Sequence, residues 1–239
     1  MQTALHDLTS AFVDSNVLIS ILVLLLYFIW PYFINVLLSG IFGLKGTGLL
    51  ALTLVMNFAL LFIVIYIYRD SLKRELTTFK KGLPKVLGTG LIVFLIGFGL
   101  YGVFNSLICE LFPSISNVNY DAMSKMFTKT PLLLFISTIF YYPVIEELVF
   151  KKTFRGIINN KWLFIIFTGL LNALFEVLLA NGGSGIELVF LIPISLFYMS
   201  FSYMYYKTDS VVTPIVFRML YNIVPTFCNV VLAVIMICF

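Results

Sequence analysis

Long apolar runs, separated by short polar segments, make up most of this chain. A helix needs about 20 apolar residues to cross the hydrocarbon core of a bilayer. By that measure the sequence predicts seven spanning helices, at roughly residues 17–39, 47–68, 87–111, 130–151, 160–180, 187–206 and 211–238. The last run contains Pro214 and Pro225, so it is expected either to kink or to form two pieces. The pattern therefore predicts an all-α, polytopic transmembrane bundle of about seven to eight helices.

The composition agrees with a membrane protein and argues against other classes. Of the 239 residues, 61% are hydrophobic and 11% are charged, whereas soluble domains carry about 25% charged residues. We find no internal repeat or linker, which predicts a single membrane domain over residues 1–239. Membrane lipid is the expected surrounding, and no nucleic-acid partner is expected from a net charge of +4. Because His6 is the only histidine and the cysteines are dispersed, no metal and no cofactor are expected.

Positive charge is concentrated in alternate segments between the predicted spans. Residues 69–86 hold six Lys or Arg residues, residues 151–161 hold four, and Lys207 follows the sixth span. Because positively charged loops tend to stay on the cytoplasmic side, these segments and the N-terminus are predicted to be cytoplasmic. Residues 70–81 place apolar side chains at helical spacing among charges, which predicts a loop that lies on the membrane surface.

Polar residues spaced four apart stand inside three of the predicted spans. They are Glu147 with Lys151, preceded by Glu146; Asn172 with Glu176; and Arg218 with Asn222. A spacing of four places both members on one helical face. Since a charge at the bilayer centre costs between about 3 and more than 10 kcal/mol, the three faces are expected to meet in one polar pocket. The structural alternative is a set of buried ion pairs that only lock the helices together, with Lys151 snorkelling to the interface.

The segment PVIEELVFKKTF (residues 143–154) resembles the first motif of a family of intramembrane endopeptidases. This is the CAAX-protease and bacteriocin-processing family (CPBP or Abi, type II CAAX prenyl endopeptidase-like). Its first motif has two glutamates, three further residues and an arginine, and Lys151 stands at the arginine position. The resemblance covers about residues 130–225, which form the family-like core of the chain.

Two later family motifs have counterparts in following spans. The second motif is phenylalanine, three residues and histidine, and here Asn172 and Glu176 stand at those two positions. The third is histidine, three residues and asparagine or aspartate, with Arg218 in place of the histidine and Asn222 retained. Lys151 keeps the charge of the family arginine but loses its planar fork.

The resemblance implies a peptidase site within the membrane. Glu146 would be the base that activates water, Glu147 an orienting acid and Asn222 a donor to the oxyanion. Both family histidines are replaced, by Glu176 and by Arg218, and an arginine cannot act as a base. A salt bridge between Glu176 and Arg218 is therefore expected to fill the pocket and to stop the chemistry.

Three interpretations of function follow. The favoured one is a divergent, catalytically retired member, a pseudoenzyme, that binds or regulates a membrane protein partner or a hydrophobic or prenylated peptide. The alternative is an active hydrolase, a glutamate-dependent endopeptidase of prenyl-protein, leader-peptide or bacteriocin processing, with Arg218 and Asn222 holding the oxyanion. A transporter with a proton relay through the carboxylates belongs to a different class, and no inverted repeat supports it.

Overall fold

The computed structural model describes residues 2–112, 131–181, 185–223 and Thr226, and these residues contain helices and no strand. The helices are α1 (Gln2–Ile34, continued as a π-helix over Asn35–Ile41), α2 (Gly46–Lys81), α3 (Leu83–Leu111), α4 (residues 131–155), α5 (Lys161–Asn181), α6 (Leu191–Thr208, preceded by a 3₁₀ segment over Gly185–Phe190) and α7 (residues 212–223). The predicted all-α bundle is confirmed.

Five segments within the described residues are long and apolar enough to cross a membrane. They are Val17–Ile41, Gly46–Lys81, Leu83–Leu111, Lys161–Leu178 and Leu188–Thr208. Large apolar side chains such as Leu22, Phe62 and Ile92 are exposed on the outer faces of the first three helices. A surface of this kind requires a lipid environment, so the chain is an integral membrane protein. The last predicted span is expected either to kink or to form two pieces. This prediction concerns residues after 223, which lie outside the described residues apart from Thr226.

The prediction of a surface loop over residues 70–81 is wrong. Helix α2 continues without a break to Lys81 and ends at Gly82, where α3 follows at once. The reason is tertiary contact: Glu75 is buried and binds Lys152 of α4 and the backbone N–H of Val211. The charged residues of this segment therefore form the exposed faces of a helix whose inner face packs on the bundle.

Helix α4 alternates between α-helical and π-helical turns. It is α-helical over Pro131–Ile136, Tyr142–Glu146 and Thr153–Arg155, and π-helical over Ser137–Tyr141 and Glu147–Lys152. Pro143 has no N–H to bond the carbonyl of Ile139, and the first π-helical segment lies directly before the turn that contains this proline. Single π-turns occur often at functional sites. The second one begins at Glu147, so the irregular geometry coincides with the charged part of the helix.

Helix α6 is the centre of the described bundle, where it packs against α3 and α5. Its side chains Phe197, Phe201 and Met204 are buried. Glycines allow the neighbouring helices to come close, as small residues commonly do in membrane bundles. Gly97 of α3 lies against Ser200, and Gly169 of α5 lies against Met199, where an added Cβ would come 2.9 Å from the backbone nitrogen.

We predict that Gly169→Ala destabilises the bundle. The new methyl group would press on the backbone of Met199, and overpacking of this kind costs about 1–3 kcal/mol. This exceeds the gain of about 1 kcal/mol that alanine brings to a helix interior. The measurement is the thermal unfolding midpoint in detergent. Gly99→Ala is the matched control, because an added Cβ there meets no atom within 4 Å. Equal midpoints for the two variants would contradict the proposed close approach.

Candidate functional site: a buried glutamate cluster

Glu147 is fully buried on the inner face of α4. One of its oxygens, Oε1, accepts hydrogen bonds from Lys151 Nζ at 2.7 Å and from an Arg218 nitrogen at 3.2 Å. Both cations are themselves buried, and Lys151 has no exposed surface. Lys151 therefore does not snorkel to the interface. A buried carboxylate needs such partners, since an unpaired charge in an apolar interior is strongly unfavourable.

Arg218 of α7 joins the two neighbouring glutamates of α4. Its Nη1 donates to Glu147, while its Nη2 forms a salt bridge with Glu146 and donates to the hydroxyl of Tyr198 at 2.7 Å. Its guanidinium also lies over the ring of Tyr198, 4.7 Å from the ring centre. The planar guanidinium directs several N–H donors at different acceptors within one plane. A lysine ammonium group has no such planar arrangement of donors.

The expected salt bridge between Glu176 and Arg218 is not formed, so that prediction is wrong. Tyr198 of α6 lies between them: its hydroxyl donates to Glu176 Oε2 and accepts from Arg218. The physical reason is that Glu146 and Glu147 already take the guanidinium as partner. Tyr198 was missed from the sequence because it stands in an aromatic run, as one of 13 tyrosines, without any charge pattern to distinguish it.

Glu146, Glu147, Glu176, Lys151, Arg218 and Tyr198 thus form one hydrogen-bonded group, which we call the glutamate cluster. Three carboxylates face one lysine and one arginine, so full ionisation leaves a formal charge of −1. One proton shared within the cluster would neutralise it. The site roles given to these side chains remain predictions, because bonding alone does not distinguish catalysis from structure.

The two amides of the sequence motifs lie at the edges of this arrangement. Asn222 Nδ2 donates to the backbone carbonyl of Thr138 at 2.8 Å, which ties α7 to the first π-helical segment of α4. One of its two N–H donors is therefore occupied by the protein. Asn172 is buried, and its Nδ2 has no hydrogen-bond partner among the described residues. An unpaired buried donor of this kind is a position where a ligand or a water would be stabilised.

A second polar group lies at the C-terminal end of α4. It consists of Glu75, Lys152, Tyr205 and the backbone N–H of Val211, and we call it the Glu75 cluster. Glu75 Oε1 forms a salt bridge with Lys152 and lies 3.5 Å from the hydroxyl of Tyr205. Its Oε2 accepts the N–H of Val211 at 2.7 Å, just before α7 begins. A carboxylate at the N-terminal end of a helix is favoured by the unpaired N–H groups there. This cluster fixes the start of the helix that carries Arg218.

Metal binding has no candidate in the described part of the chain. No three His, Cys, Asp or Glu side chains converge there in a group that is able to hold an ion. Among the described residues, Lys151 and Arg218 are the cationic side chains that bond the glutamates of the cluster.

We predict strong energetic coupling between Arg218 and Glu146. Arg218→Met leaves buried carboxylates without their partner, and removal of one member of a buried ion pair costs about 3–5 kcal/mol. A double-mutant cycle with Glu146→Gln, followed by thermal unfolding, is expected to give a coupling energy of about 0.5–3 kcal/mol. The cycle of Arg218→Met with Glu176→Gln is expected to give a smaller value, because Tyr198 separates these two residues. The exposed Glu110 provides the control cycle, and coupling as large with Glu110→Gln would contradict the assignment.

Comparison with known proteins relates the part of the chain that holds this site to a protein family. Residues 128–224 match the family model described as type II CAAX prenyl endopeptidase Rce1-like. All three polar motifs, from Glu146 to Asn222, lie inside the matched range. No curated protein and no solved structure matches the chain. The resemblance read from the sequence is thus confirmed, and over these residues the chain is a CAAX-protease-like membrane protein, similar to the Rce1-like endopeptidases.

Proposed function

We propose that this chain is a non-hydrolytic member of the CAAX-endopeptidase-like proteins, which binds a prenylated or otherwise hydrophobic peptide within the membrane. The observation that carries the proposal is the position of Arg218, which bonds both glutamates of the first motif. A general base must present a free lone pair to water. Arg218 holds one oxygen of Glu146, so that oxygen can take a proton from water only after the ion pair separates.

The groups around Glu146 support the same conclusion. A peptidase of this kind needs a proton shuttle that gains and loses a proton near neutrality. The neighbours of Glu146 in the cluster are carboxylates, a lysine, an arginine and a tyrosine, and none of these is an imidazole. Arg218 donates hydrogen bonds but does not accept a proton. The cluster therefore joins α4, α5, α6 and α7 through ion pairs and hydrogen bonds, and it lacks the proton shuttle of an active peptidase.

One oxygen of Glu146 gives the cluster a means of binding a peptide. Oε2 is taken by Arg218, while no donor among the described residues bonds Oε1, and the side chain keeps 17% of its surface exposed. A free carboxylate oxygen at the edge of an apolar site accepts a hydrogen bond from a peptide N–H. The apolar surroundings would hold a prenyl group or apolar side chains, which are favourable to bury.

The same oxygen favours a second candidate, the active endopeptidase. Glu146 Oε1 would then accept the proton of an attacking water, and Arg218 would stabilise the oxyanion that forms. This mechanism requires that Arg218 move away from Glu146 when the peptide binds. The two candidates therefore differ in one measurable property, which is turnover.

We predict that the purified chain in nanodiscs does not cleave a farnesylated CAAX peptide. The reason is the ion pair that occupies Glu146 in the resting state. Product formation is measured by mass spectrometry for the wild type, for Glu146→Gln and for the exposed control Glu110→Gln. Turnover that is lost in Glu146→Gln and kept in Glu110→Gln would overturn the proposal and establish the active endopeptidase.

Binding is tested on the same samples with a photoreactive farnesylated peptide. We expect crosslinking to the chain that exceeds crosslinking of the unprenylated peptide. Glu146→Leu is expected to weaken binding about fivefold, which is the worth of one hydrogen bond of about 1 kcal/mol. Labelling that is equal for both peptides, or unchanged in Glu146→Leu, would contradict peptide binding at the glutamate cluster.

We also propose that the basic segments face the cytoplasm, on the strength of the charge asymmetry in the sequence. Cys109 is exposed near the end of α3, and Lys80 precedes the start of that helix. In a chain whose only cysteine is Cys109, an impermeant maleimide is expected to label intact cells. A cysteine at position 80, in a background without the native cysteines, is expected to react only after the membrane is opened. The reverse pattern would mean the opposite orientation.

A further inference from the structure

A cavity of about 570 Å³ lies at the end of the bundle that carries the Glu75 cluster. Its walls come from α1, α2 and α4, and from Tyr205 of α6. It is separate from the glutamate cluster, since none of the side chains that line it is a member of that cluster. The function proposed above leaves this cavity unexplained.

The cavity lies at the depth where the apolar parts of two helices end. On α1 it is lined by Ile19 and Ser20, in the first turn of the span that begins at Val17. On α2 it is lined by Ile67 and Tyr68, after which the sequence turns to the charged Arg69 and Asp70. The apolar stretches of both helices thus stop at the cavity. This is the level at which lipid head groups meet the hydrocarbon core.

The charge of the lining is predominantly positive. Arg74, Lys152 and Arg155 line the cavity, against the single carboxylate of Asp70. Lys152 is neutralised by Glu75, and Asp70 lies 3.7 Å from Arg69. Neither Arg74 nor Arg155 forms a salt bridge with any described residue. Two guanidinium groups therefore remain available to an anion.

The arginines are accompanied by hydroxyl groups. The guanidinium of Arg155 lies over the ring of Tyr206, 4.9 Å from its centre, and Arg74 is exposed. Ser20, Ser71 and Tyr68 place hydroxyls on the same cavity. A guanidinium group donates two parallel hydrogen bonds, and this geometry matches two oxygens of a phosphate.

The apolar side of the cavity favours a lipid over a small solute. Ile19 and Ile67 keep more than a third of their surface exposed, and they continue into the apolar outer faces of α1 and α2. A volume of about 570 Å³ also exceeds what one phosphate ion fills. Basic pockets between membrane helices bind the head groups of anionic lipids.

We propose that this cavity binds a phosphate-bearing anion, namely the phosphoryl head group of an anionic phospholipid whose chains lie along Ile19 and Ile67. Arg74 and Arg155 bond the phosphate. A soluble phosphate shares the head-group chemistry, but it does not use the apolar side of the cavity.

The experiment measures the thermal unfolding midpoint of the full chain in detergent, with phosphatidylglycerol, phosphatidylcholine or inorganic phosphate added. We expect phosphatidylglycerol to raise the midpoint by about 5 °C at a hundredfold excess over Kd. Phosphatidylcholine and inorganic phosphate are expected to raise it by less. A rise with inorganic phosphate equal to that with phosphatidylglycerol would overturn the lipid and assign a soluble phosphate ligand.

Variants of the two arginines distinguish lipid binding in the cavity from attraction to the general positive charge of the surface. Arg74→Gln with Arg155→Gln is expected to lower the affinity for phosphatidylglycerol at least tenfold, since a hydrogen bond to a charged group contributes about 1.5–3 kcal/mol. Lys73→Gln with Lys80→Gln removes the same charge from exposed positions outside the cavity and is expected to leave the shift unchanged. If the double variant does not fold, the single variants Arg155→Lys and Arg74→Gln are measured in its place; Arg74 is exposed, so its substitution is not expected to prevent folding. An equal loss in the lysine control, or a full shift in both arginine variants, would overturn the proposal.

Discussion

The burial of the Arg218 guanidinium between two adjacent carboxylates is the constraint on which the described bundle depends. Arg218 lies on α7, Glu146 and Glu147 on α4, and Tyr198 on α6 extends the contact to α5 through Glu176. In hydrocarbon no water is available to replace a lost partner. Each of these helices is therefore held in position by charge as well as by packing, and the exposed apolar faces are free to meet lipid.

Sequence periodicity predicted the helices well, because apolar runs of about 20 residues have one main explanation in a membrane. It failed at residues 70–81, where the charged pattern resembles a loop. The buried contacts of Glu75 with α4 and with Val211 extend the helix there, and these contacts join residues far apart in the chain. Only tertiary structure decides whether such a charge faces water or a partner.

The charged members of the glutamate cluster were predictable from the sequence, but the ion pairs that they form with one another were not. The spacing of four placed Glu147 with Lys151 and identified Glu176 and Arg218 as inward-facing. Which carboxylate takes the guanidinium depends on side-chain distances between helices, which no spacing within one helix reveals. Tyr198 supplies the missing link, and a neutral hydroxyl in an aromatic run carries no signal of its role. Its hydroxyl joins Glu176 to Arg218, which do not pair with each other directly.

Lys151 and Lys152 are consecutive residues of one π-helical turn, yet they belong to different clusters. Lys151 binds Glu147, whereas Lys152 binds Glu75 and lines the cavity at the end of the bundle. Consecutive residues of a helix point in different directions around its axis, so one short turn supplies a lysine to each of two buried carboxylates. The spacing between the two clusters is therefore set by the backbone of α4 itself, and an insertion or deletion in this turn would leave at least one carboxylate without its cation.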